Sequence, residues 1–441
     1  MIGRLRHKLR GGSLGFDAAL TSLVGMGVYA LSAVTGPLLA RALGTTARGD
    51  LASVLVPTQV LGYLILWGLP HASAFYVARI PRRTLVMTGW VIMVAVNLPL
   101  VLLGALFVPA YLSGHDPVTV PFFYAFLGQT LVFLPMITTL DCLRGEGRAV
   151  PYNLLRAAPF VLNTFFIVTL FLIGELTLES ALVSQFTANA IAWTAVFVYA
   201  GTFPGRGFDR SALRTQFDYG WRSTIGLLSQ MIVGKFDQFL LVPLVDSGQL
   251  GLYVVAATGA SLTAPLGQGV GLALFPHARR AERGRADDQT RTALKLTALI
   301  SVVAALVVGL MAPWVIPLLF GSDFAGAVAP LLILLPGQVF MNLGNIQAAR
   351  LEADGRPGAA SRAFFAGAVI TVVGVLIAVP IFGIEGAAFV TSVSQAVFLI
   401  VATLARRAGG ESIERPTGGD APAPVEVPGA DDDDITTREG G

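Results

Sequence analysis

The chain has 441 residues, of which 54% are hydrophobic and only 13% charged, with a formal net charge of +3. A soluble globular chain is about 25% charged, so a soluble domain is excluded, and apolar runs of about 20 residues recurring from end to end mark a multi-pass membrane protein. The single cysteine, Cys142, excludes an intramolecular disulfide and a cysteine metal cluster.

The N-terminus, MIGRLRHKLRGG, is basic, and the apolar stretch after it is too long for a cleaved signal peptide. That stretch reads as the first spanning helix. Hydropathy predicts six spans at about 18–40, 51–79, 85–109, 119–141, 153–174 and 178–200. Six more fall at about 222–244, 250–275, 293–319, 326–348, 362–382 and 386–405. The expected units are a cytoplasmic basic N-terminus (1–17), an N-terminal six-helix lobe (18–200) and a cytoplasmic linker (201–221). A C-terminal six-helix lobe (222–405) and a disordered acidic cytoplasmic tail (406–441) complete the chain.

Basic residues orient these spans. With the N-terminus inside, 25 of the 30 Lys and Arg fall on inner loops, inner helix edges or the N-terminus. Arg41 and Arg48 lie outside, Arg415 and Arg438 lie in the tail, and Lys235 is left within the membrane. Such a bias is the positive-inside pattern, so both termini are expected in the cytoplasm. Outer loops are short, the longest being AYLSGHDPV at Ala110–Val118.

A repeat runs through the loops. LRGEGR (Leu143–Arg148) is echoed by LEADGR (Leu351–Arg356) at an offset of 208 residues, PHA (Pro70–Ala72) by Pro276–Ala278 at 206, and ALVS (Ala181–Ser184) by AFVT (Ala388–Thr391) at 207. A duplicated six-helix unit follows. Because six is even, the copies should be related by pseudo-two-fold symmetry about the membrane normal, with a cavity between them. The expected fold is thus an all-α integral membrane protein of twelve transmembrane helices in two six-helix lobes.

The seventh span carries Lys235 and Asp237. Residues two apart on a helix point about 200° apart, so the two do not pair. A helical projection groups Ser223, Gly226, Gln230, Gly234 and Asp237 on one polar stripe, the natural cavity face, and Lys235 on the other side, from which it could snorkel. In the first span Asp17 and Thr21 share a similar stripe, which close packing through small residues also explains. Further polar groups at membrane depth are His71, Gln129, Asn163, Gln185, Asn189, Gln268, Gln338, Asn342 and Gln395. Most read as interhelical hydrogen-bond partners, with His71 able to titrate near neutral pH. From this set the candidate cavity residues are Asp237, Lys235, Gln230, Asp17, Thr21, His71, Gln268 and Asn342. Arg79, Arg156, Arg222 and Arg362 sit at inner helix ends, where they either mark topology or form a cationic cytoplasmic mouth.

At KFDQFLLVPLVDSGQLGLYVVA (Lys235–Ala256) the chain resembles bacterial polysaccharide flippases of the O-antigen type. VGLALFPHARR (Val270–Arg280), LLFGSDFAGAVAPLLILLPGQVF (Leu318–Phe340) and PIFGIEGAAFVTSVSQ (Pro380–Gln395) are similar to later parts of the same pattern. The family belongs to the superfamily of multidrug, oligosaccharidyl-lipid and polysaccharide exporters. The resemblance implies a non-enzymatic, alternating-access flippase that moves an undecaprenyl-diphosphate-linked oligosaccharide from the inner to the outer leaflet of the bacterial cytoplasmic membrane. No cofactor is implied beyond a coupling ion, proton or sodium. The implied partners are the lipid-linked cargo, membrane lipids and a polysaccharide polymerase or cell-wall proteins, with no nucleic acid. The flippases of lipid-linked peptidoglycan precursors resemble an arginine-lined chamber, whereas here Lys235 is the one cation expected at depth. A multidrug or cation antiporter of the same superfamily and a non-transporting cell-wall scaffold stay open. A membrane glycosyltransferase is disfavoured, because outer loops this short cannot build its site.

Overall fold

The computed structural model describes residues 14–264 and 283–410. These residues are helical between turns: α1 Leu14–Leu64, α2 Leu69–Tyr76, α3 Arg82–Ile92, α4 Leu98–Ala105, α5 Val108–Tyr111, α6 Thr119–Gly145, α7 Ala149–Leu172 and α8 Leu178–Ala200. After them come α9 Arg210–Leu241, α10 Ser247–Ser261, α11 Arg283–Phe320, α12 Val328–Ala353 and α13 Pro357–Gly410. A π-helical stretch, Met93–Asn97, joins α3 to α4, and a 3₁₀ turn, Ser322–Ala327, precedes α12. Among the described residues eight helices are long and apolar enough to cross a membrane.

Helix α1 has 51 residues and α13 has 54, each more than twice what one crossing requires. Both break at a glycine. Gly44 has φ 71° and ψ −176°, and Gly383 has φ 59° and ψ −142°, a backbone region essentially reserved for glycine. Each helix is therefore two legs, 14–43 with 45–64 and 357–382 with 384–410. The segment 41–50, expected as an outer loop, is thus helix save for one residue. The second expected span is interrupted in turn, since Trp67 and Gly68 both have positive φ. Asn97 holds that break: its oxygen accepts from the Trp67 indole at 2.8 Å and its amide donates to the Ile65 carbonyl at 3.1 Å.

The repeated loop motifs fold alike. In LRGEGR, Arg148 N donates to Leu143 O and Gly147 N to Arg144 O; in LEADGR, Arg356 N donates to Leu351 O and Gly355 N to Glu352 O. Both are Schellman turns, which close a helix through a residue of positive φ. Sequence similarity and hydrogen bonding therefore agree at one 208-residue spacing.

Two ends of the molecule can be told apart by their packing. At the far end, where 44–50, 111–118 and 242–250 meet, one apolar core holds residues of both halves, Leu39, Leu51 and Phe126 alongside Leu241, Tyr253 and Leu334. At the near end the cores are separate. Met136, Leu143 and Phe197 pack within the first half, and Val233, Ala363 and Phe398 within the second. Helix α9 bridges this near-end division. The Asp209 side chain caps it by accepting from Ser211 N, so it starts at Arg210, inside the segment expected as a linker. Its beginning leans on the first half, with Gln216 Nε2 donating to Ser73 Oγ at 2.7 Å and Tyr219 stacked on Phe75 at 5.0 Å. About four turns later Val233 belongs to the core of the second half.

Alanine at Gly44 or Gly383 should cost about 1–3 kcal/mol through backbone strain. Thermal unfolding in detergent should show a lowered midpoint for each. Gly25→Ala is the control, since a Cβ there meets nothing within 4 Å.

Candidate functional site

Both halves wall a cavity of about 570 Å³. The helices α1, α6, α7 and α8 line one side, and α9, α10, α12 and α13 the other. On the second leg of α1 the wall is formed by Arg48, Leu51, Ala52, Leu55, Val56, Gln59 and Tyr63, a single helical face. On α7 it is formed by Leu155, Arg156, Pro159, Phe160, Asn163, Thr164 and Ile167, a second such face.

Among the described residues three cations share the chamber: Arg48, Arg156 and Lys235. Arg48 and Arg156 are half-buried, and Lys235 is open to the cavity. Among the described residues no ion pair within 4.0 Å holds any of them. The Arg48 Nε is buried with no hydrogen-bond partner, and the Arg156 guanidinium lies 5.5 Å from the centre of the Tyr152 ring. Among the described residues Asp237 is the one carboxylate on the wall. Its oxygens are already occupied: Tyr253 and Thr391 donate their hydroxyls to Oδ2, the latter at 3.0 Å, and Gln238 N donates to Oδ1 at 2.8 Å. Cations enclosed without counterions favour an anionic guest.

The structure brings both groups of the seventh expected span to the chamber, the stripe carrying Gly234 and Asp237 as projected and Lys235 beside it. Lys235 stands open in the chamber, while Asp237 is 4% exposed and ties α9 to α10 and α13. The hydroxyls of Tyr253 and Thr391 draw the acid inward, and a projection of one helix carries no information about them. Four candidates are not part of the cavity wall. Thr21 accepts from Asn153 at 3.0 Å, and Gln230 and His71 are exposed elsewhere. Asn342 is 1% exposed and donates to the Thr263 carbonyl at 3.2 Å and to Ser301 Oγ at 3.1 Å, locking α12 to its neighbours. The side chains of Asp17, Arg222 and Gln268 lie outside the described residues. Of the four mouth arginines Arg156 reaches the cavity, whereas Arg79 and Arg362 are exposed away from it. Arg48 was missed because its segment reads as a loop. The spacing 48, 51, 52, 55, 59 is the signal that finds it.

The far end is shut by backbone contact. A Cβ on Gly49 would sit 1.7 Å from the Ser247 carbonyl oxygen, and one on Gly251 2.1 Å from that of Thr45. Beside this crossing, His115 Nδ1 lies 3.1 Å from Asp50 Oδ1 and 2.8 Å from Ser247 Oγ, and Nε2 lies 2.9 Å from the Val242 carbonyl. Both the carbonyl and the carboxylate can only accept, so the doubly protonated imidazolium satisfies both at once. Arg41 adds a hydrogen bond to the Leu319 carbonyl at 2.9 Å, and Tyr111 one to the Phe239 carbonyl at 2.7 Å.

A family model described as polysaccharide biosynthesis protein matches residues 153–329. A probable low-salt glycan biosynthesis flippase, Agl15 of Haloferax volcanii, is 23% identical over 265 residues, 58% of this chain and 55% of that protein. An uncharacterized membrane protein of Methanocaldococcus jannaschii is 26% identical over 189 residues, 42% of this chain and 37% of that one. The chain thus spans about half the length, or less, of the curated relatives it matches. Among solved structures, the lipid II flippase MurJ in an inward closed conformation superposes with a TM-score of 0.75 at 12% identity, covering 88% of this chain and 87% of that one. An inward-facing multidrug resistance MATE family transporter of the MOP superfamily gives 0.70 at 13% identity, covering 90% and 100%. The chain has the fold of these transporters.

Burial alone lowers the His115 pKa, but hydrogen bonds to Asp50 and the Val242 carbonyl, with the Asp50 and Asp246 charges, outweigh it and hold the imidazole above its ordinary value of 6.5. A raised pKa means that this contribution is complete below the unfolded value and is lost as pH rises through the folded one. The thermal unfolding midpoint should therefore fall across that rise, and the step should vanish in His115→Gln.

Proposed function

We propose, from the premise that the matched family and the shared fold support a polysaccharide flippase of the multidrug, oligosaccharidyl-lipid and polysaccharide exporter superfamily, that this chain flips a lipid-linked oligosaccharide between membrane leaflets. The observation that carries the reading is the chamber with three unpaired cations. A diphosphate brings the missing negative charge, and charge-assisted hydrogen bonds are the strong ones. Lys235 and Arg48 are assigned to the diphosphate and Arg156 to its approach from the near end. An undecaprenyl-diphosphate carrier fits this chemistry. A cationic drug does not, because it would meet like charges.

In this reading the chain forms twelve spans in two six-helix lobes, and the near end, which holds most of the arginines, faces the cytoplasm together with both termini. The closed far end is then the outer gate, and the cycle alternates between opening at the near and far ends around a fixed chamber. Coupling is assigned to Asp237. A proton or sodium ion arriving there competes with the Tyr253 and Thr391 hydroxyls for the same oxygen and loosens α9 from α10 and α13.

Proteoliposomes loaded with a labelled lipid-linked oligosaccharide, scored for leaflet exposure with and without an ion gradient, test the proposal. Arg48→Gln and Lys235→Gln should each weaken cargo engagement by about 10–100-fold, the worth of one hydrogen bond to a charged group. Wild-type flipping by the double variant, or none by the unaltered protein in any gradient, would defeat it.

A further inference from the structure

A second chemistry occupies the wall of the first half. Gln185 Nε2 donates to Asn189 Oδ1 at 3.1 Å, Asn189 Nδ2 donates to Gln129 Oε1 at 3.0 Å, and Gln129 Nε2 donates to the Phe186 carbonyl at 3.0 Å. All three amides line the cavity. Each primary amide offers two N–H donors and two carbonyl lone pairs. The relay uses one donor of each and fixes the orientation of the rest, leaving N–H groups and the Gln185 oxygen uncommitted among these bonds. Asn163 lies on the same wall, and its Oδ1 is buried with no partner among the described residues.

Aromatic faces stand beside the relay. Trp193 lies one turn beyond Asn189 on α8, with its ring 5.7 Å from Phe133, and Phe133 lies 5.5 Å from Tyr63. All three rings line the chamber. Oriented neutral donors and acceptors beside flat apolar rings suit a pyranose, whose equatorial hydroxyls take amide pairs while its C–H face covers a ring. They suit a diphosphate less well, since its oxygens only accept and leave the amide oxygens without a partner, and its charge is met better by the cations. The geometry points to a glycan subsite made by Gln129, Asn163, Gln185 and Asn189 with Trp193 and Phe133, which reads the sugars of the cargo while the cations hold its phosphates. This rests on the flippase reading and deepens it.

Two probes separate the two readings: a short-chain polyprenyl diphosphate without sugar, and the same lipid carrying a neutral oligosaccharide. Equilibrium binding is measured with the full-length protein in detergent. Gln129→Leu with Asn189→Leu should weaken the glycosylated probe by about tenfold, two neutral hydrogen bonds, and leave the bare diphosphate unchanged. Asn163→Leu, which breaks no hydrogen bond at its oxygen, should act in the same direction without disturbing the relay. Arg48→Gln should weaken both probes alike. The subsite is overturned if the amide variants bind both probes as the unaltered protein does. It is overturned equally if Asn163→Leu loses the two in parallel. Failure of the unaltered protein to bind either probe would instead sink the flippase reading, and the subsite with it.

Discussion

At the far end two helices touch through bare backbone, and the placement of the chamber follows from that crossing. Gly49 rests against the Ser247 carbonyl and Gly251 against that of Thr45, an approach that any side chain would forbid. Arg48 is the neighbour of Gly49. The crossing therefore fixes where its guanidinium enters, in the cavity that Lys235 of the other half also lines. Around the crossing runs the one apolar core that both halves share. Burial there supplies the cohesion, and the chamber is the space left where the halves diverge toward the near end.

Keeping cations in such a space is unfavourable. Desolvating an ion costs several kcal/mol before partners are counted, and Arg48, Arg156 and Lys235 have no carboxylate within ion-pair distance among the described residues. The one acid on the wall, Asp237, gives its oxygens to two hydroxyls and a backbone N–H rather than to Lys235. A protein that only needed to fold would have paired these groups. Unpaired, they give the chamber a positive field that disfavours a cationic guest and favours an anionic one. The neutral relay of Gln129, Gln185 and Asn189 adds oriented hydrogen-bonding groups to the same chamber without adding charge.

Much of this was legible in the sequence. Composition marked the membrane class, and the LRGEGR and LEADGR motifs foretold two turns that share their hydrogen bonds. What stayed hidden has a common physical cause. Hydropathy treats a polar stretch as a loop, so the segment around Arg48 looked external, although only Gly44 leaves the helix there. A projection of one helix likewise cannot say which neighbour will meet each face, so it did not show that Asp237 is locked by the Tyr253 and Thr391 hydroxyls while Lys235 joins it on the cavity wall. Of the polar residues expected at depth, Gln129, Asn163, Gln185, Asn189, Gln338 and Gln395 line the cavity. Their division into lock and lining, with Asn342 bound in the packing and Gln129 and Asn189 on the wall, depends on partners far away in the chain.

Helix α9 carries a mechanical implication. Its opening turns are fastened to the first half through Gln216 and Tyr219, and its later turns are embedded in the second half through Val233. The two bundles are thus not free hinged bodies at the near end, because a single 32-residue strut is clamped at both extremities. Any swing that widens or narrows the near-end mouth must be taken up as curvature along that strut. Lys235 lies just beyond the second clamp, so the bending that opens the mouth also shifts that charge within the chamber.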